Sequence, residues 1–387
     1  MQPPSLSLPL PPPLRMSEPG SFAHHTLTHR WPTIAHRVIP ENNFSSEIGA
    51  RLIALTEDLS RGRVRPLQDQ APDTAAWRSY LQPWLGKPWL ELPWFFAEVY
   101  FYRRLLEATR YFEPEEGQGI DPFRSQKQAA LHTALVDIQG MGDSWNDLIY
   151  SSLWGNRADL SLRPETTVPA FLGQTMHQNR ILVDDTPALQ AILLDRSHAR
   201  LDWIADNAGF ELICDLLLID LLLRDAIAQT VHLHLKSHPT FVSDATIGDL
   251  HHTLTALAAD VATRSVAERL QGFLEQGQLR LVADPFWTAP LVFWEMPANL
   301  HQDLSQSNLV VIKGDANYRR LLGDRHWPFT TPLADILAYF PTSLVALRIL
   351  KSEIVVGLDS EQLRTLPQKD QSWLVNGKWG LIQGYFC

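Results

Sequence analysis

Cysteine is nearly missing from this chain, with only Cys214 and Cys387 among 387 residues. Two thiols at that spacing make neither a disulfide framework nor a zinc ribbon, and the count fits a reducing cytosol, so a cytoplasmic protein is expected. A basic excess is missing too. The net charge is -10, and a chain without a basic face cannot displace the counterions of a phosphate backbone, which excludes nucleic acid as a partner. No apolar run is long enough and free enough of charge to cross a bilayer. The richest, Phe210 to Leu223, is interrupted by Glu211, Asp215 and Asp220 and reads as a buried helix, so no membrane partner is expected. Absent as well are a GxxxxGK[ST] loop and an HExxH pair, which removes nucleoside triphosphate binding and the common zinc-protease site.

What is present divides into three stretches. The first twenty residues hold seven prolines, and residues 1–20 are expected to be a disordered tail, with Met16 opening plainer sequence. Residues 21–172 read as a helical part. Ile48, Leu52, Leu55 and Leu59 recur at helical spacing behind the polar Asn42-Asn43 pair, and Pro93 precedes the run WFFAEVYFYRRLLEATRYF. Glu98 sits at the edge of the buried stripe of that run, where pairing with Arg103 or Arg104 at helix spacing competes with a functional role.

Residues 173–387 change character. Short β-rich runs alternate with helical ones: Arg180 to Asp185, Leu201 to Asp206, Thr230 to Lys236, Leu279 to Asp284, Asn308 to Asp315 and Val345 to Lys351. The runs are too continuously apolar for a sheet with one wet face. An α/β fold is therefore expected, with a doubly wound, mainly parallel sheet covered by helices on both faces.

Five of the six runs lead to an acidic residue and the sixth ends in Lys351. Ligands of such folds bind beyond the carboxyl ends of the strands. Asp206, Asp244, Asp315 and Lys351 should converge there, and crowded carboxylates call for a hard divalent cation. In Asp206-Asn207-Ala208-Gly209-Phe210-Glu211 two oxygen ligands stand before a helix N-terminus, while the alternative is that Asn207 only caps that helix. His232 and His234 share a strand face but read as core histidines rather than a zinc pair. Lys313-Gly314-Asp315-Ala316-Asn317-Tyr318-Arg319-Arg320 makes a second strand, turn and helix start, where Arg319 or Arg320 could hold phosphate. Its alternative is a surface-exposed basic helix start.

Taken together, the segments Pro93 to Arg104, Leu153 to Leu162, Ala205 to Leu212, Pro239 to Asp244, Lys313 to Arg320 and Leu347 to Leu358 resemble the damage-control phosphatases. The subfamily is that of the acidic-residue methyltransferase-like proteins, within the domain-of-unknown-function 89 superfamily. The resemblance implies a helical part packed on an α/β domain, a divalent ion (Mn2+, Co2+, Ni2+ or Mg2+), and hydrolysis of small phosphometabolites of the fructose-1-phosphate or fructose-6-phosphate type. It places Asp206, Asn207 and Asp244 on the metal. Asp315, Ala316, Asn317, Tyr318, Arg319 and Lys351 fall in its substrate-binding segment, with Asp206 and Asn207 also beside substrate. The catalytic set expected is Asp206, Asn207, Asp244, Asp315 and Lys351, with metal-activated water or an aspartate attacking phosphorus. In Arg348-Ile349-Leu350-Lys351, isoleucine stands where the family has threonine. A rival activity that the resemblance also raises is carboxyl methyl transfer from S-adenosylmethionine through Glu211 and Asp244, though no Gly-x-Gly cofactor loop follows the first strand. A noncatalytic metal-binding module is the third reading.

Overall fold

The computed structural model of the protein describes residues 8–114, 116–138, 142–155, 179–195 and 198–387. Its centre is a sheet of seven strands: β1 (Ile181–Asp184), β2 (His198–Ile204), β3 (Ala228–His234), β4 (Leu279–Val282), β5 (Leu309–Lys313), β6 (Leu344–Ile349) and β7 (Gly380–Tyr385). The order across it is β1-β7-β6-β5-β2-β3-β4. Every neighbouring pair is parallel except β6 with β7. All six β-rich runs of the sequence became strands. The seventh, β7, went unread because glycines open and interrupt it and no acidic or basic residue marks its end.

The continuity of the apolar runs has the expected cause. Along β5, Leu309 and Val311 belong to one core cluster and Val310 and Ile312 to the other; along β6, Val345, Leu347 and Ile349 alternate with Leu344 and Ala346 in the same way. Both faces are therefore buried, and alternation of polar and apolar residues has no place. The helix Phe210–Arg224 covers the first face and is buried nearly all round, which is why its sequence is apolar yet not amphipathic.

A separate aromatic core fills the helical part, running from Leu14 through Phe123 and including Val242 from the loop beyond β3. Trp31 stacks on Phe101 with ring centroids 5.0 Å apart, and Trp89 on Tyr100 at 4.8 Å. The helix Ser46–Arg61 buries Ile48, Leu52, Leu55 and Leu59 as its spacing requires, and Ser45 caps it by accepting from Ile48 N.

Three expectations are corrected. Residues 8–20 are not a loose tail: Leu14 and Met16 are buried, Leu14 N donates to Asp324 O and Leu14 O accepts from Trp94 N, both at 2.9 Å. Proline-rich chain makes a poor helix but a good extended strap, because it lies flat and loses little backbone entropy on docking. Glu98 does not pair with Arg103 or Arg104. Arg103 takes Asp69 at 2.7 Å and Asp73 at 2.9 Å, and Arg104 takes Asp58 and Glu107. Lastly, the helix Trp145–Gly155, grouped by sequence with residues 21–172, contributes Leu148, Ile149, Leu153 and Trp154 to the sheet's core. The boundary at 172 and the motif residues 156–162 lie outside the described residues.

Candidate active site

The chain leaves β2 for β3 on one side while β5 lies on the other, so the carboxyl ends of β2 and β5 flank a topological switch point, where an open α/β sheet leaves a crevice. Asp206 follows β2 and Asp315 follows β5. Between them the backbone comes very close. Gly314 has φ +84°, and a Cβ there would sit 1.9 Å from Asp206 Oδ2, so only glycine lets the β5 turn pass the carboxylate.

Asp244 arrives from beyond β3 and is fixed to Asp206 through the main chain. Ala245 N donates to Asp206 O at 2.8 Å and Ala208 N to Ser243 O at 2.7 Å. The approach to this pairing is strained: Phe241 and Val242 have φ of 49° and 70°, a region that a β-branched side chain rarely enters. Val242 is anchored in the aromatic core, which supplies the packing that holds the turn.

A cavity of about 50 Å³ opens over these residues. Asp206, Asn207, Asp244, Asp315, Ala316, Arg319 and Lys351 line it from the sheet side, and Phe22, Arg30, Trp94, Glu98, Tyr102 and Phe241 close it from the other. A larger cavity of about 310 Å³ has Lys127, Lys236 and Asp249 on its surface. The smaller one carries the clustered carboxylates Asp206, Asp244 and Asp315.

Burial raises the pKa of Asp206 well above the usual carboxylate range, and the Glu211 and Asp244 carboxylates push it further, against the pull of Lys351 and Lys236. Like charges held this close favour either a proton or a cation. Lys236 Nζ lies 3.3 Å from Asp244 Oδ2 and 3.4 Å from Asn317 Oδ1. The sequence reading took Lys236 only as a strand end. The signal that could have found it is its equivalence to Lys351, the other lysine that ends a β-rich run.

Asp315 Oδ1 accepts from Arg348 Nε at 2.8 Å, Ser352 Oγ at 2.9 Å and Lys351 N at 3.2 Å. The motif arginine thus holds the acid of the neighbouring strand. Ile349 is buried in the sheet core, and its side chain is not among those lining the cavity. Arg319 contacts Glu98 Oε2 at 2.5 Å and Asp324 Oδ1 at 2.8 Å, with its guanidinium 3.6 Å from the centre of the Trp94 ring. Burial alone would lower its pKa, but Asp324 and Glu98 outweigh it and hold the arginine firmly charged.

Not every expected residue faces the cavity. Asn317 donates to Ala205 O and Lys313 O, and Tyr318 Oη donates to Gln383 Oε1 at 2.9 Å. On the helix Asp315–Leu322 positions 315, 316 and 319 share one side, and 317 and 318 turn inward. Arg320 is neither on the surface nor at the cavity. It is 1% exposed, donates to the carbonyls of Phe286, Leu291 and Trp287, and burial lowers its pKa to about 9.

Nor do all strand-end acids gather. Asp284 caps the turn that follows β4 by accepting from Phe286 N, and Asp185 accepts from Gly384 N on the antiparallel side of the sheet. His234 is a core histidine, 2.7 Å from Asp202 and accepting from Trp287 Nε1 at 3.2 Å. Among the described residues, Asp202, His232 and Asp303 also bring their ligand atoms within 4.8 Å of one another. Arg200 already spans both of those carboxylates at 2.7 and 2.6 Å, so an ion there would have to displace a guanidinium.

The damage-control phosphatase ARMT1-like domain model matches residues 26–366. Damage-control phosphatase ARMT1 of Danio rerio is 34% identical, with 94% of each chain covered. Its counterpart in Mus musculus is 31% identical over 96% of this chain and 97% of the other, and that in Homo sapiens 30% over 94% and 96%. Among solved structures, a DUF89 family protein from Pyrococcus horikoshii superposes with a TM-score of 0.52 at 14% identity, covering 93% of this chain and 97% of that one, a likeness of fold. No helix among the described residues is long and apolar enough to cross a membrane. With the family model spanning most of its length and relatives matched nearly end to end, the chain belongs to the damage-control phosphatase family, in its ARMT1-like branch, and is an enzyme of the phosphoric monoester hydrolase class.

Proposed function

We propose that the cleft between the ends of β2 and β5 hydrolyses small phosphorylated metabolites with the help of a divalent ion held by Asp206, Asn207 and Asp244. The observation that supports this best is the convergence of those three side chains with Lys351 and Arg319 on one cavity. The donor set is all oxygen, which suits a hard ion such as Mg2+ or Mn2+ and also admits Co2+ or Ni2+. A bound ion of this kind supplies Lewis-acid polarisation of a phosphoryl oxygen.

The chain's own groups do the rest. Lys351 and Arg319 place positive charge where the equatorial oxygens of the transferring phosphoryl group gain negative charge. Arg319 is pre-aimed by Glu98 and Asp324, so little reorganisation is needed when that charge develops. Asp315, with Oδ1 engaged by Arg348, Ser352 and the Lys351 amide, keeps Oδ2 for a proton from an attacking water. Asp206 is itself a candidate nucleophile, and trapping of an aspartyl phosphate separates that route from water attack.

The free space of about 50 Å³ accommodates an ion and a water or two. Fructose-1-phosphate and fructose-6-phosphate are the substrates to try first, and a cytoplasmic role in metabolite repair follows from the same reading. Methyl transfer through Glu211 and Asp244 has less support, because Glu211 is absent from the cavity lining.

In Asp206→Ala, phosphate release from these esters should fall by about 100- to 1,000-fold or more, roughly the loss of one essential group that stabilises the transition state. The thermal shift given by Mn2+ should vanish with it. Wild-type rates in that variant would reject the site, and labelled-methyl transfer without phosphate release would favour the methyltransferase reading.

A further inference from the structure

Glu211 is 1% exposed, yet it does not line the cavity, so its buried carboxylate requires another use. Its two oxygens face different partners. Oε1 lies 2.9 Å from Lys313 Nζ, and Oε2 accepts from Asn207 Nδ2 at 2.7 Å. On the far side of the same amide, Ser243 Oγ donates to Asn207 Oδ1 at 2.5 Å. Asn207 Nδ2 also donates to Asp206 Oδ2 at 2.8 Å.

This arrangement permits one orientation of the Asn207 amide. Reversed, it would set Oδ1 against two carboxylate oxygens and Nδ2 against the hydroxyl that now donates. An amide oxygen has two lone pairs and Ser243 engages one of them. We infer that Glu211, held by Lys313, is a positioning residue for the divalent-ion site, fixing Asn207 so that the second lone pair of Oδ1 is offered to the cation. The inference rests on the metal reading of the cleft, and it assigns Glu211 a role other than contact with a cofactor or substrate.

A glutamine cannot replace this carboxylate. The Lys313 ammonium lies 2.9 Å from one oxygen of residue 211 and Asn207 donates to the other, whereas glutamine offers a single oxygen and would turn its NH2 on one of those two groups. Lys313 cannot swing away to relieve the conflict, since it also donates to Ser152 O at 2.7 Å and Asp215 Oδ1 at 2.9 Å. Replacing Asn207 by Asp in the same background restores a donor–acceptor match, with the glutamine now donating to residue 207 and accepting from Lys313.

The test is Mn2+ affinity of the full chain, measured by titration calorimetry. Glu211→Gln should weaken binding about 10- to 100-fold, the usual cost of losing a partner that orients a metal ligand. Because a carboxylate at 207 adds charge on the ion by itself, the gain is read against Asn207→Asp in the wild-type background: Asn207→Asp should raise affinity several-fold more in the Glu211→Gln chain than in wild type, where it would face the Glu211 carboxylate, and equal gains in the two backgrounds count against the inference. Ser243→Ala, which removes the other restraint on the amide, should weaken binding by several-fold and decides the matter if Glu211→Gln does not fold. Affinity within a factor of two of wild type in the folded Glu211→Gln chain, or in Ser243→Ala should that variant alone be soluble, overturns the inference while leaving the metal reading intact. A wild-type chain that binds no Mn2+ sinks both.

Discussion

At the scale of single residues, the cleft is governed by contacts that leave no room for substitution. Gly314 combines φ +84° with ψ 171°, a conformation essentially confined to glycine, and its missing Cβ is the space Asp206 Oδ2 occupies. Gly314→Ala should therefore cost about 1–3 kcal/mol in backbone strain alone and also push the Asp206 carboxylate out of place. Loss of the Mn2+-induced thermal shift together with a lower urea midpoint is the expected result; unchanged ion binding would show that Asp206 need not sit where it does. At this scale the sequence was partly legible. Asp206, Asn207, Asp315 and Lys351 stand just beyond strand ends, and strand ends can be read, whereas Asp244 lies on the loop that follows β3. Which side of the helix Asp315–Leu322 each of its residues faces follows from helical period, but Asn317 and Tyr318 were carried into the site as a contiguous segment. Glu98 reads as lying at the edge of a buried face, but the helix Trp94–Ala108 is buried nearly all round and Glu98 with it; its partner Arg319 is 221 residues away, and no local spacing announces such a contact.

At the scale of elements, parallel strands buried on both faces announce themselves as apolar runs, as β5 and β6 do, while the edge strands β1 and β4 are only partly covered and are legible from their β-rich composition between helical stretches. β7 was not, because Gly380 and Gly384 dilute its run and its antiparallel place beside β6 depends on a pairing across the sheet. Between β5 and the helix Phe210–Arg224 lies a cluster with its own pH behaviour. Burial raises the Asp215 carboxyl, Glu211 adds to this, and although Lys313 opposes both, the pKa is pushed up to about 6. The native chain thus keeps this proton between the usual aspartate value of 3.8 and about 6, where the unfolded chain has released it. In that window the native state binds more protons, so stability from this group is full below the lower value and is lost as pH rises through the upper one. Two pKa units correspond to on the order of 3 kcal/mol. Urea titrations of ion-free wild type and Asp215→Asn should accordingly show the wild type losing ground relative to the variant between about pH 4 and pH 7. A constant difference across that range would mean that Asp215 is ionised throughout.

At the scale of the whole molecule, the question is what joins the aromatic core of the helical part to the sheet, since the cavity lies between them. Arg319 and Asp324 form one junction, because Asp324 takes the Arg319 guanidinium and Phe95 N together. The proline-rich strap forms another. Composition made it look like a loose tail, since proline content reports poor helix formation and says nothing about a docked extended chain. In the structure Arg325 Nη1 donates to Pro11 O, His326 N to Pro12 O, and Arg15 Nη1 to Glu91 O, so residues 11–15 are stitched to both parts at once. Leu14 and Met16 are 1% and 0% exposed, and burying two such side chains contributes roughly 3–6 kcal/mol. Deleting residues 1–17 should lower the urea unfolding free energy by an amount of that order. It should also reduce phosphate release, because Phe22 and Arg30, which close the cavity, follow directly behind the strap. A deletion that leaves both the unfolding midpoint and the rate untouched would mean that the strap is idle and that Arg319 and Asp324 hold the two parts together without it.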